Sequence, residues 1–343
     1  MSQKVSIIVP VYNAAAHLAE CVHSLQQQTF PGLEILLVDD GSTDESLALC
    51  RSLATGDERI RVLHHENRGP SATRNRGLAE ATGDYILFSD ADDRMEPDAV
   101  ESLLATAREQ QAQLVIGAYA RFRDGEDKDF SQHRIYQEPV TFIGGSRELG
   151  LLFTEARTSL AAVSVWAKLY DAAIIRREGI TFPEDVSYEE DCCFNLQYYR
   201  HVERAAALSR IVYHYRQVST SLSKSYRPQT LDYQLNGYRL RCRYLQEQGL
   251  GETLPKLKTI MLIVFTTACK RIALSAMEPR QKAAAYATIA KRAEVREIVR
   301  TGRQPGDRLT KLLTAAIKTG SVLPVRLLMG LWAMRQRMKK EPV

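Results

Sequence analysis

The stretch that decides the fold reads Tyr85-Ile86-Leu87-Phe88-Ser89-Asp90-Ala91-Asp92-Asp93. Its first four residues are bulky and apolar, which is typical of a short buried strand. Three carboxylates follow within four positions, where they repel one another unless a cation or solvent lies between them. Hard divalent cations prefer oxygen ligands, and a diphosphate supplies more of them. The stretch therefore predicts a metal and diphosphate site at the end of a strand, with a solvated acidic loop as the alternative.

Strand-like segments recur on both sides of this stretch. They are Val5–Pro10, Glu34–Asp39, Ile60–His64, Tyr85–Ser89 and Leu114–Ala118. Between them lie segments whose apolar residues recur at helical spacing. Pro97 suits the first turn of one such helix, and Ser42–Glu45 has the spacing of a capping box that opens another. The alternation of strand and helix predicts an α/β fold with a parallel sheet covered on both faces.

Polar residues stand at the ends of three of these strands. The first strand runs into Tyr12 and Asn13, the second into Asp39-Asp40-Gly41-Ser42, and the fourth into the acidic cluster. Because ligands bind at the carboxyl ends of the strands in such sheets, we expect these residues to meet at one edge. An aspartate there can accept a hydrogen bond from a nucleobase or a ribose. A plain turn capped by Ser42 accounts for the second segment equally well.

A glycine turn with two arginines lies between the third and fourth strands, in the segment 67–75. The guanidinium of Arg74 matches the geometry of a phosphate and can bind it in a bidentate manner. A helix start with ordinary surface arginines is the alternative. Either way, the segment leads from one strand towards the same edge of the sheet.

The sequence beyond residue 120 changes in character. Residues 121–145 are polar and irregular, and are interpreted as a connection or lid. A helix is expected near Glu189–Arg200, and everything after Pro228 has a helical pattern. The predicted organisation is a domain of residues 1–225, divided into halves 1–120 and 121–225, and a helical C-terminal region of residues 226–343.

The net charge of +5 belongs to the C-terminal tail. From Arg303 to the end there are nine Lys and Arg against two acids, so the first 302 residues carry a net charge of −2. Among these cations lie apolar residues at helical spacing: Leu323, Leu327, Leu328, Leu331, Trp332 and Met334. An apolar face rimmed by cations suits a helix on an anionic membrane surface, and a packed terminal helix is the alternative. No nucleic-acid partner is expected, because the main domain is slightly acidic.

The N-terminus and the cysteines bear on the compartment. The chain begins directly with a strand-like segment and lacks the features of a signal peptide. Its longest apolar stretch, Thr259–Cys269, is shorter than a membrane-spanning helix. No cysteine pair has the two-residue gap typical of zinc or redox sites, so reduced core cysteines are expected. These features predict a cytoplasmic protein, integral to no membrane, with peripheral contact to the inner face of the cell membrane through its tail.

Together these segments resemble the family 2 inverting glycosyltransferases, in particular those of bacterial capsule, lipopolysaccharide and exopolysaccharide synthesis. The resemblance rests on Val5–Asn13, Leu37–Asp44, Gly69–Asn75 and Asp90–Asp93, which occur in the family's order and with natural spacing. It implies a GT-A (Rossmann-like) nucleotide-sugar-binding domain with a mixed sheet, followed by a helical C-terminal region. It also implies a nucleotide-diphosphate sugar donor, usually UDP-linked, and Mn²⁺ or Mg²⁺ as cofactor.

The resemblance assigns site residues position by position. The donor-binding residues it implies are Pro10, Tyr12, Asn13, Asp40, Arg74, Asp90, Asp92 and Arg216. Pro10 and Tyr12 would flank the nucleobase, and Asp40 would hydrogen-bond it. Arg74 would lie towards the diphosphate, and Arg216 would close over it. The implied metal ligands are Asp92, Asp93 and His214, although a histidine packed on a strand is the commoner case for His214.

The second half resembles the family at the segment Tyr188-Glu189-Glu190-Asp191. In the family an aspartate at the head of this helix is the catalytic base, which implies Asp191 as base and Glu190 in support. The alternative is that acids favour the first turn of a helix on electrostatic grounds. The segments Trp166–Tyr170 and Tyr213–Ser223 resemble the family's segments before and after this helix. An acceptor sugar would stack on Trp166 unless that ring belongs to the core.

The resemblance implies one in-line displacement that inverts the sugar and transfers it to a hydroxyl of a saccharide or a lipid-linked acceptor. Two other functions compete with this one. A sugar-nucleotide nucleotidyltransferase would need a glycine-rich basic loop after the first strand, and Pro10–Ala16 offers none. A catalytically inactive homologue that binds nucleotide sugar or acts as a scaffold is compatible with the sequence, although the acids at both ends of the site argue against it.

Overall fold

The computed structural model describes residues 3–124, 131–185, 189–217, 229–302 and 307–338, without the side chains of residues 337 and 338. The chain divides into two compact units. The first comprises residues 1–153 and 157–218, and the second comprises residues 154–156 and 219–343. The domain boundary predicted between residues 225 and 226 lies outside the described residues and stays a prediction.

The described part of the first unit contains one ten-stranded sheet. Its strands are β1 (Val5–Val11), β2 (Leu33–Asp40), β3 (Ile60–His65), β4 (Tyr85–Phe88), β5 (Arg94–Met95), β6 (Leu114–Phe122), β7 (Ser131–His133), β8 (Val140–Gly144), β9 (Lys168–Asp171) and β10 (Ala205–Arg216). Their spatial order is β3-β2-β1-β4-β9-β6-β10-β5, with β7 beside β6 and β8 beside β10.

The sheet is mixed. Strand β1 pairs in parallel with β2 and β4, and β2 pairs in parallel with β3. Strand β9 is antiparallel to both β4 and β6, whereas β10 runs parallel to β6 and antiparallel to β5 and β8. The strand positions predicted from the sequence are confirmed. The fully parallel arrangement expected from the alternation of strands and helices is found among β1 to β4. Beyond β4 the sheet is mixed, because the antiparallel strand β9 lies between β4 and β6.

The described helices of the first unit are α1 (Ala15–Gln26), α2 (Ser46–Thr55), α3 (Pro70–Glu80), α4 (Ala99–Gln110), α5 (Ser146–Leu152), α6 (Ser159–Val163), α7 (Ala172–Glu178) and α8 (Glu190–Tyr199). The helix predicted near Glu189–Arg200 is thus confirmed as α8. The irregular connection predicted at 121–145 is wrong for its described part, which contains the end of β6 and strands β7 and β8.

Two predicted helix starts are wrong. Helix α2 is preceded by Glu45, and the hydroxyl of Ser42 instead accepts a hydrogen bond from the N–H of Asn13. Helix α4 begins at Ala99, so Pro97 lies before its first turn, where the Pro97 carbonyl accepts a hydrogen bond from Thr29. Ser42 and Pro97 thus each join two loops instead of starting a helix.

Close packing fixes helix α3 on the sheet. A Cβ added at Gly77 would lie 2.5 Å from Cγ2 of Ile8 in β1, so only glycine lets the two backbones approach this closely. Gly69 precedes the helix with a φ of 89°, in the left-handed region that favours glycine. These two glycines set the position of Arg74, which lies on α3 between them.

The second unit is helical in its described part, as predicted for the sequence after Pro228. Its helices are α9 (Thr230–Glu247), α10 (Leu254–Leu274), α11 (Pro279–Lys291), α12 (Ala293–Thr301), α13 (Arg308–Lys318) and α14 (Val322–Met338), with a 3-10 turn at Gly251–Thr253. Helix α10 contacts all the others. Its buried side chains include Met261, Phe265 and Cys269, which form the centre of an apolar core. Among the described residues, no helix has the combined length and apolarity to cross a bilayer.

Candidate active site

The acidic loop lies directly after β4, at the carboxyl end predicted for it. The N–H of Ser89 still bonds to the carbonyl of Ile8 in β1, and the loop then turns through a hydrogen bond of 3.1 Å from the N–H of Asp93 to the carbonyl of Asp90. The Asp90 side chain is 31% exposed. The turn separates the carboxylates of the cluster, so that they have different environments and different partners.

Asp93 braces the acidic loop in this structure, and its role as a metal ligand stays a prediction. The side chain is fully buried and accepts hydrogen bonds of 2.7 Å from the hydroxyl of Tyr213 and from the N–H of Arg216. Burial and the charges of Asp92 and Asp90 raise the pKa of Asp93 well above its ordinary value. Both of its carboxylate oxygens are occupied by donors from β10, so the residue fixes the loop to that strand.

Tyr213 is a site residue that the sequence analysis missed. Its hydroxyl accepts a hydrogen bond of 3.0 Å from the N–H of Asp90 and donates to Asp93. One buried hydroxyl thus holds both ends of the acidic turn. The resemblance had brought the segment around Tyr213 to attention, but nothing in the local sequence distinguishes this tyrosine from a packing residue.

Asp92 has a free carboxylate and fits a metal site. In the described part of the chain its side chain makes no hydrogen bond to another residue, and it is partly exposed. Burial, followed by the neighbouring charge of Asp90, raises the pKa of Asp92 to about 6. A divalent cation would remove this repulsion and would accept carboxylate oxygens as ligands. No group of three or more His, Cys, Asp or Glu side chains among the described residues is arranged to hold a metal ion. Asp90 and Asp92 therefore fit a cation that takes further ligands from a diphosphate.

Arg74 joins the acidic loop to the second half of the unit. One terminal nitrogen donates to Asp90 at 3.1 Å, and the other lies 3.4 Å from both Glu190 and Asp191. The side chain is 7% exposed and lies over the ring of Phe182 at 5.5 Å. Burial lowers the pKa of Arg74, but the carboxylates outweigh it and keep the pKa above its ordinary value. One buried cation thus brings together acids that lie about 100 positions apart in the sequence.

Asp191 has the environment of a general base. One carboxylate oxygen accepts a hydrogen bond of 3.2 Å from the N–H of Val165. The other oxygen is buried and has no hydrogen-bond partner among the described residues, although it forms the ion pair with Arg74. Burial, together with the charges of Glu190 and Asp90, raises the pKa of Asp191 to about 7 against the opposing effect of Arg74. A carboxylate with such a pKa can take a proton near neutral pH.

The start of helix α8 presents the acids of the site. Glu190 and Asp191 lie in its first turn, where the helix dipole favours negative charge. Glu189 precedes them with a φ of 70°, a conformation uncommon for a residue other than glycine. Tyr188, the first residue of the predicted motif, lies outside the described residues. The sharp turn at Glu189 directs both carboxylates of the motif to Arg74.

A buried polar network supports the backbone that contacts Asp191. Asn195, one turn along α8, donates hydrogen bonds of 2.8 and 2.9 Å to the carbonyls of Val163 and Ser164. Its amide oxygen accepts from the hydroxyl of Tyr170 at 2.8 Å. The ammonium of Lys168 also donates to the Ser164 carbonyl. The network therefore fixes the backbone of residues 163 and 164. The N–H of the next residue, Val165, is thereby directed to Asp191.

Asp40 braces a loop in this structure, and its role as the residue that hydrogen-bonds the nucleobase stays a prediction. Its carboxylate accepts hydrogen bonds from the N–H groups of Arg68 and Gly69, at 2.7 and 3.0 Å, and from the amide of Asn67 at 3.2 Å. Its neighbour Asp39 differs. One Asp39 oxygen is bonded to Ser42 and His64, and the other is buried without a partner among the described residues. The open acceptor at this strand end thus belongs to Asp39.

The loop after β1 carries the predicted donor residues Pro10, Tyr12 and Asn13. Asn13 has a φ of 48°, and its side-chain oxygen accepts a hydrogen bond of 2.8 Å from the N–H of Thr43. This bond ties the loop after β1 to the loop after β2. Tyr12 is 52% exposed beside it, whereas Pro10 is partly buried. The structure therefore brings the ends of β1 and β2 together and leaves the Tyr12 ring open to a ligand.

Arg216 contacts the backbone of the acidic loop, and its predicted closure over the diphosphate stays a prediction. Its Nε donates to the backbone carbonyl of Asp92 at 2.6 Å, and its terminal nitrogens pair with Asp124 and Glu20. The guanidinium also lies over the ring of Phe122 at 4.4 Å, and the residue is 4% exposed. Each of its three guanidinium nitrogens thus has a partner within the protein.

Trp166 belongs to the core, so it offers no platform for an acceptor sugar. It is 5% exposed and stacks on Tyr213 and Tyr215 at centroid distances of 5.1 and 5.4 Å. Of the two alternatives that the sequence left open, the structure supports the packed ring. Trp166 directly follows Val165, whose N–H contacts Asp191, so the packed ring helps to position that segment.

His214 lies opposite Arg94 in the pairing of β10 with β5, and its role as a metal ligand stays a prediction. Its Nε2 is 2.6 Å from the carboxylate of Glu96, and it lines a cavity of about 320 Å³ with Glu20 and Arg94. Side chains two positions apart on a strand share a face, so His214 lies on the same face of β10 as Arg216, whose Nε reaches the carbonyl of Asp92. The histidine is packed and paired with a carboxylate in this structure.

Sequence comparison assigns the chain to a family. Residues 6–178 match the family model of glycosyl transferase family 2. Glycosyltransferase GlyA of Streptococcus pneumoniae is 34% identical over 232 residues, which are 65% of this chain and 32% of GlyA. The uncharacterized glycosyltransferase EpsJ of Bacillus subtilis is 33% identical over 252 residues, which are 72% of this chain and 71% of EpsJ. The chain thus spans about a third of GlyA and most of EpsJ.

Solved structures share the fold. The crystal structure of S. aureus TarS 1-349 in complex with UDP-GlcNAc has a TM-score of 0.69, with 20% identity over 97% of this chain and 92% of that one. The mannosyltransferase PcManGT from Pyrobaculum calidifontis, in complex with GDP-Man and Mn²⁺, has a TM-score of 0.52 and 16% identity over 99% and 89%. The mixed sheet with acids at its strand ends is therefore a GT-A fold with a helical C-terminal region. The chain belongs to glycosyl transferase family 2 and is thereby classed as a glycosyltransferase.

Proposed function

We propose that the protein transfers a sugar from a UDP-sugar to a hydroxyl of a saccharide or lipid-linked acceptor, with inversion at the sugar. The observation that carries the proposal is the bridge of Arg74 between Asp90 on one side and Glu190 and Asp191 on the other. It unites an acidic loop suited to a metal and a diphosphate with a carboxylate suited to take a proton. A scaffold protein would have no use for a base with a pKa near neutrality.

The donor half of the proposal rests on the strand-end loops. Tyr12 offers an exposed ring beside the nucleobase, and the unpartnered oxygen of Asp39 offers an acceptor for a base N–H. Asp90 and Asp92 would hold Mn²⁺ or Mg²⁺ together with the diphosphate. The bound cation supplies neutralisation of the charge on the leaving diphosphate. The UDP-GlcNAc in TarS and the Mn²⁺ in PcManGT support the choice of a UDP-sugar and a divalent cation.

The catalytic half rests on Asp191. Its carboxylate takes the proton from the acceptor hydroxyl as the oxygen attacks the anomeric carbon from the face opposite the diphosphate. The bond from that carbon to the diphosphate oxygen breaks in the same step, so the configuration inverts. Arg74 orients the carboxylate, and the N–H of Val165 fixes its second oxygen. A single displacement needs no covalent intermediate between the sugar and the protein.

The acceptor class is proposed from the relatives and from the tail. The family includes a poly(ribitol-phosphate) beta-glucosyltransferase that is 29% identical over 216 residues of this chain. The acceptor we propose is accordingly a polymer or a lipid-linked saccharide, with the transfer taking place on the inner face of the cell membrane. The basic, partly apolar helix α14 supports that location.

The proposal is tested by nucleotide release from UDP-, GDP- and dTDP-sugars with Mn²⁺, Mg²⁺ or EDTA. We expect slow hydrolysis of a UDP-sugar that EDTA abolishes, and loss of this hydrolysis in Asp92→Ala. The matched control is Asp98→Asn, a change to a carboxylate paired with Arg210 before α4, which should hydrolyse at the normal rate. Metal-independent release, or no binding of UDP in the presence of Mn²⁺, would refute the assigned donor site.

A further inference from the structure

Helix α14 has apolar side chains on two opposite sides. Its inner side packs in the helical unit through Val325, Met329 and Ala333, which are 0%, 0% and 9% exposed. On the other side four apolar residues are largely exposed, at 59%, 61%, 66% and 59%: Leu323, Leu327, Leu331 and Met334. With 3.6 residues per turn these four residues form one stripe directly opposite the buried side. We call them the outer stripe.

Cations flank the outer stripe. At about 100° per residue, Arg326 lies on one flank and Arg335 on the other, each about 90° from the centre of the stripe. Both arginines are exposed. On the first flank Arg326 lines a cavity of about 330 Å³ together with Lys282. The outer stripe is therefore an apolar band with positive charge along both of its edges.

We propose that the outer stripe and its flanking arginines bind the surface of a bilayer that contains anionic phospholipid. The leucines would enter the boundary between head groups and acyl chains, while the arginines reach back to the phosphates. The charge of the whole tail favours this partner, because residues 303–343 hold nine Lys and Arg against two acids. Lys339 and Lys340 lie outside the described residues and contribute here only through the charge of the sequence.

A second copy of the chain fits the outer stripe less well. Two copies that paired through this band would bring arginines of the same charge together at its edges, where anionic head groups would instead neutralise them. The inference deepens the proposed function, because a lipid-linked acceptor lies at such a surface. The inference depends on the proposed function only for the biological role of membrane binding. Lipid binding itself can be measured without any sugar transfer.

Vesicle sedimentation of the full chain tests the inference. The lipid is phosphatidylcholine alone or phosphatidylcholine with three-tenths phosphatidylglycerol. We expect strong binding only to the anionic vesicles, and at least tenfold weaker binding for Leu327→Ser/Leu331→Ser, because the apolar area that enters the lipid is lost. Arg326→Gln/Arg335→Gln should bind the anionic vesicles about fivefold more weakly per arginine. The control is Phe142→Ser, which removes a 47% exposed side chain of the first unit and should bind as the wild type does.

Three measurements keep the outcomes distinct. Circular dichroism shows that each variant is folded, and light scattering reports its oligomeric state. UDP-sugar hydrolysis reports the donor site separately from lipid. Wild-type binding that the leucine substitutions leave unchanged would overturn the inference, as would a dimer that these substitutions dissociate without any lipid binding. If hydrolysis persists while vesicle binding is absent, the sugar transfer of the proposed function survives, and both its membrane location and the present inference are refuted.

Discussion

Asp191 shows how one side chain acquires its chemistry from its surroundings. Its sequence neighbours mark only the start of a helix, where acids are common. The raised pKa comes from burial and from Glu190 and Asp90, and the retained charge comes from Arg74 and the N–H of Val165. None of these partners except Glu190 is near it in sequence. The role of the residue is therefore a property of the folded site.

The rate of transfer should depend on pH through this carboxylate. A base must be deprotonated to act, and its pKa is raised to about 7, so kcat/KM should rise about tenfold per pH unit below 7 and level off above it. Asp191→Asn should lower kcat by roughly 10²- to 10⁴-fold and abolish this rise. A pH series of nucleotide release in the presence of acceptor measures both.

Asp191→Glu is the matched control for that series, because it keeps a carboxylate and should keep the rise of rate with pH. The other charged groups near Asp191 are Arg74, Glu190, Asp90 and Lys168. A wild-type rate that is flat from pH 5.5 to 8.5, or a normal rate in Asp191→Asn, would remove Asp191 from the role of base.

Adjacent aspartates at the end of β2 should respond differently to substitution. Asp39→Asn alters the residue with an unpartnered oxygen, so UDP binding should weaken about tenfold or more with a small change in stability. Asp40→Asn leaves fewer acceptor oxygens for the donors of residues 67–69, and should lower the free energy of unfolding by about 1–3 kcal/mol. Calorimetric titration with UDP and urea unfolding distinguish the two. The reverse pattern would return the base contact to Asp40.

Helix α8 illustrates how an element transmits order to the site. Its first turn carries the acids, and its second turn carries Asn195, which is fully buried. Asn195 ties the helix to the carbonyls of Val163 and Ser164, just before the N–H that contacts Asp191. The helix and the segment before β9 are therefore fixed to each other. Asp191 lies on the helix and is hydrogen-bonded to that segment.

Substitution of Asn195 should lower the stability of the protein and alter the environment of Asp191. Asn195→Ala leaves buried carbonyls and the Tyr170 hydroxyl with fewer partners, so the free energy of unfolding should fall by about 1–3 kcal/mol. If the network positions the base, the pH at which the rate rises should also move, because the bond from Val165 to Asp191 is weakened. Urea unfolding and the pH series measure the two effects. A stability loss with an unchanged pH profile would leave Asn195 a purely structural residue.

At the scale of the whole molecule, the β-strands and the helical tail could be predicted from the sequence, because hydrophobic spacing reports local structure. The mixed order of the sheet could not be read from that spacing, since the position of β9 depends on long-range pairing. Within the site, the sequence pointed to the ends of β1, β2 and β4, and hydrogen bonds join the loops after β1 and β2. The contacts of individual side chains could not be predicted, because Asp93, Asp40 and Arg216 bond to partners far along the chain. Trp166 and Tyr213 show the same limit, since an aromatic residue on a strand has one sequence signature whether it packs or binds.

Metal and nucleotide should stabilise the protein only together. Asp90 and Asp92 offer too few ligands for a tight site among the described residues, and the diphosphate completes the set. Mn²⁺ with UDP should therefore raise the melting temperature, by an amount that corresponds to about 2.7 kcal/mol at a hundred times Kd. UDP with EDTA, or Mn²⁺ alone, should have little effect. Thermal unfolding of wild type and Asp92→Ala measures this, and an equal shift with Mn²⁺ alone would point to a complete metal site elsewhere.

The shared position of Arg74 has a consequence for the order of events. Without a donor, its guanidinium serves Asp90 and the acids of α8 at once. Under the proposed function, an incoming diphosphate would compete for the same cation, and the charge it draws away would loosen the hold on Asp191. The carboxylate would then become free to take a proton only after the leaving group is in place. Catalysis would then follow a compulsory sequence, with the nucleotide sugar entering first and the spent nucleotide departing last.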